Sequence, residues 1–273
     1  MNKLLRANLA RLVRNKAFWL LTALMALDGG AYTALRNARV PDEVVPLDRS
    51  LATFFIPAAL FLAIFTALYI GTEYSDGAIR NKLMVGHGRG KVYCANLIVC
   101  LLAGLAFCAA YLLPYLAVGI PLLGEPTRPT AELATSLACG LGAILAFGAL
   151  MVMVSMLCSS RAVSSVLCIM LLLALLTTGL SIQANLEEPE RITAYEVSVE
   201  GGMTWKDEPN PRYVGGTERK VLEHLNDALP GGQLYQLEEG TPAHPLRMGI
   251  WDGVVMLLST LGGILVFRRK DLK

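Results

Sequence analysis

Charge is what this sequence has least of. Only 17% of its 273 residues are Asp, Glu, Lys or Arg, against about 25% in a soluble globular domain. The charges it has are clustered, leaving long uncharged tracts, and mean hydropathy is +0.50. A transmembrane helix needs roughly 20 mostly apolar residues to cross about 30 Å of hydrocarbon, and several tracts reach that length. That excludes an ordinary soluble enzyme and indicates an integral membrane protein. Paired cysteines are also missing: the six (Cys94, Cys100, Cys108, Cys139, Cys158, Cys168) lie in or beside apolar runs, and none forms a CxxC pair. A disulfide framework or zinc site is thereby disfavoured, and buried, inert thiols are expected. The histidines His87, His224 and His244 stand apart, with no Cys or Glu at metal-ligand spacing, so no metal is expected. No Ser-His-Asp or paired-carboxylate arrangement converges on the spans. The basic stretches lack the aromatics that single-stranded nucleic-acid binding uses. The first apolar run has no small-residue cleavage site after it and reads as a retained span.

Residues 2–16, NKLLRANLARLVRNK, carry five bases and no acid, with Leu5, Leu9 and Leu12 at helical spacing. They predict an amphipathic helix on an anionic membrane surface, the alternative being a basic flank that only orients the first span. Six spans follow: 17–35, 51–71, 92–118 (with Pro114 and Pro121 loosening its far end), 133–157, 162–182 and 248–267. The fourth is rich in Gly and Ala, which permit close helix contact. Basic residues gather in the N-terminal segment, in 71–91, at Arg161 and in the tail RRKDLK, while the intervening loops are balanced or acidic. The positive-inside rule puts both termini and 71–91 in the cytoplasm.

Residues 183–247 then lie outside, with acids outnumbering bases two to one. Within them, YEVSVEGG predicts a short strand and turn. TERKVLEHLNDALPGG predicts a helix with Val221, Leu222, Leu225 and Leu229 on one face, ending at Pro230 and Gly231. This region is expected to be a small folded cap, too poor in apolar residues for its own core and resting on the membrane or on a partner. The expected architecture is therefore an all-α integral membrane protein. It has an N-terminal amphipathic helix (1–16), spans one to five (17–182) with a cytoplasmic loop (72–91), an extracellular cap (183–247), a sixth span (248–267) and a tail (268–273).

One polar segment stands out: GTEYSDGAIRNKLMVGHGRGKVYCANLI, residues 71–98. A connection of about 20 residues joins two spans here, more than the usual 2–8 between bundled helices. Ile79, Leu83 and Met84 fall at helical spacing, Arg80, Lys82 and Arg89 supply positive charge, and Gly77 and Gly86 bracket the interior. The residues themselves leave two readings open: a short helix that docks into a partner, or one that anchors the loop among lipid headgroups.

EYSDGAIRNKLMVGHGRGKVYCANLI resembles the cytoplasmic loop of permease subunits of type-2 ABC transporters, a largely export-directed family. Its pattern is an acidic residue, a Gly-small-Ile-Arg run and a Gly/Pro-x-x-Arg element entering the third span. Glu73, Gly77, Ala78, Ile79, Arg80 and Arg89 match, with Ala78 where Thr is commoner. The N-terminal helix, the LPGGQ element at 229–233 and the tail VFRRKDLK are similar too. The resemblance implies that 71–91 hold a coupling helix seated in a cleft of a separate ATPase subunit. Ile79, Leu83 and Met84 would fill that cleft, with Arg80, Lys82 and Arg89 forming rim ion pairs. It also implies pairing with a second permease subunit, identical or diverged. The chain has no G-x-x-x-x-G-K-[ST] phosphate loop: in GHGRGKV, Lys91 is followed by Val92. No cofactor is expected on this chain, with ATP and Mg on the partner ATPase.

Asp28 is the acid placed well inside an apolar run. Such a residue costs about 2.5–3.5 kcal/mol on insertion scales, so a wetted structural role and a place on a substrate path both stand. Asp252 reads as interfacial, and Trp19 and Trp251 as belt anchors at opposite boundaries. Two rival classes remain: a secondary carrier, and a non-transporting sensor or immunity subunit whose acidic cap captures a cationic peptide. The absence of eukaryotic sorting motifs and glycosylation sequons points to a bacterial plasma membrane.

Overall fold

The computed structural model describes residues 2–39, 47–197, 203–240 and 242–271. Six of its helices are long and apolar enough to cross a membrane. A short helix α1 (Asn2–Val13) leads into α2 (Lys16–Arg39), and a 3-10 turn at Leu47–Ser50 precedes α3 (Phe55–Ser75). The polar segment forms α4 (Ala78–Met84), after which come α5 (Arg89–Leu123), α6 (Thr130–Leu157) and α7 (Arg161–Glu187). Strands β1 (Arg191–Val197) and β2 (Met203–Pro209) pair antiparallel, Arg191 opposite Pro209 and Val197 opposite Met203. Helices α8 (Gly216–Ala228), α9 (Pro230–Glu239) and α10 (Pro245–Arg269) close the chain.

Length and hydropathy explain the spans: each offers 21 or more helical residues, over 30 Å at 1.5 Å per residue. In lipid the backbone must satisfy its own polar groups, which a continuous helix does. α5 runs through Pro114 and Pro121 without breaking, so the expected loosening of its far end does not occur. The bundle packs α2 along α5, α6 along α10 and α3 along α7. Its interior is aromatic: Phe18 and Phe65 meet Phe107, and Phe54 stacks on Tyr111, which stacks on Tyr115. Successive spans alternate in direction, which places α1, α4 and the end of α10 at one end of the bundle. The 3-10 turn, the β-hairpin and the start of α10 lie at the other. Trp19 and Trp251 accordingly sit at opposite ends.

Residues 183–247 depart most from expectation. The strand expected in YEVSVEGG is present as part of β1, while its turn, 198–202, falls outside the described residues. Its partner β2 was not expected. The helix expected in TERKVLEHLNDALPGG is present as α8, with its C-cap at Leu229, just before Pro230; what was not expected is that a further helix, α9, starts at Pro230. This α8–α9 hairpin descends into the bundle. Asn226 donates to Gln183 Oε1 at 2.7 Å, and a side chain at Gly231 would collide with the backbone of Leu175, midway along α7. Only glycines at 231 and 179 let the two backbones approach so closely. The amphipathic sense of α8 is also reversed. Asn226 and Asp227 are buried while Val221 and Leu225 are exposed, 52% and 45%.

Candidate functional site

The polar segment 71–91 is built around Glu73, which is fully buried at the end of α3. Three elements bring polar groups to its carboxylate. From α1, Arg11 forms an ion pair with Oε1 at 2.6 Å. From α4, Lys82 pairs with the same oxygen. From α5, Asn96 donates from Nδ2 to Oε2 at 2.8 Å. Asn8, one helical turn before Arg11, accepts from Lys82 Nζ at 2.9 Å and donates to Asn96 Oδ1 at 2.8 Å. Tyr69, one turn before Glu73, donates its hydroxyl to the Asn8 carbonyl at 2.9 Å, and its ring lies 3.6 Å beneath the Arg11 guanidinium. Burial holds the Lys82 ammonium below the usual lysine range, against the pull of the Glu73 carboxylate.

Helix α4 is short and set by its flanks. Gly77, at φ +67°, makes the left-handed step out of α3 that an L side chain resists. The helix begins directly after it, and Gly86 at φ +93° ends the turn beyond. Residues Ala78–Met84 span under two turns, too few to be stable alone. Its hold is tertiary: Ile79 is buried in the core, Leu83 packs partly against it, and Lys82 reaches Glu73.

This placement separates the residues singled out from sequence. Glu73, Lys82 and Ile79 face inward and brace α4. The expected use of Ile79 as an outward knob and of Lys82 as a rim cation is not what the fold presents. The outward surface is Met84, 71% exposed, and Val85, 79% exposed, with Arg80 beside them. Ala78 is half-buried behind Gly77. Arg89 turns to the C-terminal end of α10, donating to the carbonyls of Phe267 at 3.0 Å, Arg268 at 2.9 Å and Lys270 at 2.5 Å. Those carbonyls have no partner within the helix, so Arg89 caps it. Lys270 in turn donates to Tyr74 Oη at 3.1 Å and the Met156 carbonyl at 3.2 Å, and burial holds its ammonium below the usual range. Asp28 is exposed on the surface of α2, alongside Leu24 and Leu27.

No family model and no curated protein matches this chain. The side-chain geometry is therefore what bears on its role.

Sequence reasoning missed the parts of the site that come from afar. Asn8 and Arg11 lie more than 60 residues from Glu73, and Asn96 sits in an apolar run; the one signal was that each is polar where its neighbours are not. It also missed a second polar cluster, where α8 and α9 meet α10. There Asp227 pairs with Arg247 and accepts from Gln236 Nε2 at 2.9 Å. Gln233 donates to the Asp227 carbonyl at 2.7 Å. Asp252, expected to be interfacial, is only 4% exposed. Neither of its carboxylate oxygens has a hydrogen-bond partner among the described residues, and Gln233 Oε1, Asn226 Oδ1 and Arg247 Nη2 are also unpartnered. No group of three or more His, Cys, Asp or Glu suited to a metal occurs among the described residues.

Proposed function

We propose that this chain is the membrane-spanning permease subunit of a type-2 ABC transporter, an exporter of amphipathic or peptide- and antibiotic-like substrates. Its ATP and Mg are bound by a separate ATPase subunit, and a second permease subunit completes the path. The observation that carries this reading is the build of α4. A stubby helix braced from behind by Glu73, Lys82 and Ile79 presents Arg80, Met84 and Val85 outward. Rigid-body motion passes through such an element because it moves with the helices it is tied to, here α1, α3 and α5. On this reading the α4 end is cytoplasmic, the membrane is a bacterial plasma membrane, α1 is an amphipathic elbow helix lying on that membrane's surface and α4 is the coupling helix.

Co-purification with an ATPase from native membranes tests it. Wild type is expected to bring down an ATPase, and Arg80→Glu with Met84→Asp to lose it while keeping its thermal stability, since both residues are exposed. A wild-type chain that comes down without any ATPase overturns the reading.

A second reading has one observation in its favour. A cleft of about 370 Å³ between α7, α8 and the start of α10 is lined by Glu187, Glu223, Arg219 and Arg247 among others. A sensor or immunity subunit could hold a cationic peptide there, and loss of peptide binding in Glu187→Gln with Glu223→Gln would favour it.

A further inference from the structure

A second groove lies at the α4 end, between the first turns of α5 and the last turns of α10. It encloses about 540 Å³ and is lined by Gly88, Arg89, Gly90, Lys91, Cys94, Ile264 and Arg268. Three of the seven are cations and none is an acid. Arg89 is occupied with the carbonyls of α10, but Lys91 and Arg268 are exposed. No carboxylate among the described residues pairs with either. The back wall, Cys94 and Ile264, is half-buried and apolar. A surface that joins free positive charge to an apolar wall, where two spans end, has the chemistry of a lipid whose headgroup is anionic.

From this we propose that the groove seats one anionic glycerophospholipid. Its phosphate lies between Lys91 and Arg268, and an acyl chain runs down past Cys94 and Ile264. Gly90 keeps the groove open: a Cβ there would stand 3.6 Å from Arg268 Nη2 and 3.7 Å from Ile264 Cγ2, in ordinary contact, so a longer side chain would fit and occupy the space. The seat adjoins the Arg89 clamp, so a bound lipid would hold α5, α10 and the segment after α4 together. The proposal depends on the chain spanning a membrane and not on the transporter reading.

The test is lipid retention and thermal stability of the purified full chain. Phosphatidylglycerol vesicles are compared with phosphatidylcholine vesicles and with inorganic phosphate at matched ionic strength. Wild type is expected to retain phosphatidylglycerol and to melt higher with it than with phosphatidylcholine. Lys91→Gln with Arg268→Gln is expected to lower retention about thirty-fold, the effect of removing two cations at a membrane surface. Gly90→Leu, which leaves every charge in place, is expected to lower it comparably by filling the groove. The exchange Lys91→Arg with Arg268→Lys keeps the charge and is expected to keep retention, which separates loss of the seat from misfolding. Unchanged retention in Gly90→Leu would mean diffuse attraction to a basic surface and would overturn the proposal. Equal stabilisation by inorganic phosphate would assign the groove to a free anion and overturn it too.

Discussion

The two ends of the bundle solve the same problem differently. At the α4 end, Glu73, Arg11, Lys82, Asn8 and Asn96 are buried or partly buried, and their polar atoms meet in one connected network in which Arg11 Nε alone lacks a partner. At the opposite end, Asn226, Asp227, Gln233, Arg247 and Asp252 are similarly enclosed, yet five of their side-chain atoms have none. A satisfied buried network rigidifies, whereas each buried polar atom left without a partner costs stability. The closed end ties the short helix α4 to α1, α3 and α5. The unsatisfied end is where α8 and α9 enter the bundle as a hairpin, so it is the end expected to rearrange.

Breaking the closed end should have the largest effect. Glu73→Ala leaves Arg11 and Lys82 facing each other without their anion, and removing one partner of a buried pair costs about 3–5 kcal/mol. Chemical or thermal unfolding of the purified chain measures it; a loss no larger than that of an exposed α7 substitution would show that the network does not hold α4. Next in size is Gly231→Leu, which forces a side chain into the Leu175 backbone, an overpacking of about 1–3 kcal/mol or more. The hairpin should lift, seen as faster tryptic cleavage at Arg219 and Lys220; unchanged cleavage would mean that the tip is not seated on α7.

Asp252→Asn sharpens the contrast by its sign. No cation faces Asp252 among the described residues; the Gln233 side chain lies beside it, and an amide at 252 can donate to the unpartnered Gln233 Oε1. The variant should be as stable as wild type or gain about 1 kcal/mol, the worth of one satisfied hydrogen bond. Destabilisation beyond that would reveal a partner for the carboxylate. The smallest effect concerns the anchor of the same end. Burial alone would raise the Asp48 carboxyl, but hydrogen bonds from Thr127 N and Oγ1, at 3.1 and 3.2 Å, and the Arg128 guanidinium hold it below the usual carboxylate range. A group depressed in the folded state contributes stability above its unfolded value and loses it as pH falls through the folded one. Stability should therefore dip below about pH 4, and Asp48→Asn should remove that part of the dip, amounting to about 0.5–1 kcal/mol. An identical acid limb in both proteins would refute the role of Asp48.

Much of the candidate site was legible in one dimension and not in three. Gly77 and Gly86 marked the limits of α4, and Ile79, Leu83 and Met84 marked it as helical. In a helix of seven residues those three positions do not say which side meets the bundle, and Ile79 went in while Met84 stayed out. Nothing near Glu73 in the chain announces Arg11 or Asn96, because pairing across helices leaves no periodic trace. The reversed face of α8 has a physical cause. Apolar spacing indicates a buried face when the surroundings are water; beside membrane spans the surroundings are apolar, and it is Asn226 and Asp227 that need the interior.

By itself the sequence determined that there are six spans and roughly where they lie, because hydrocarbon thickness and backbone hydrogen bonding leave a 20-residue apolar run little choice but a helix. It also determined where α4 begins and ends, since only glycine takes the left-handed steps that frame it. Tertiary structure alone decided which charges meet at Glu73, that the α8–α9 hairpin enters the bundle, and that Lys91 and Arg268 share a groove. Those outcomes depend on contacts between residues tens to hundreds of positions apart, and such contacts form only when the helices have packed.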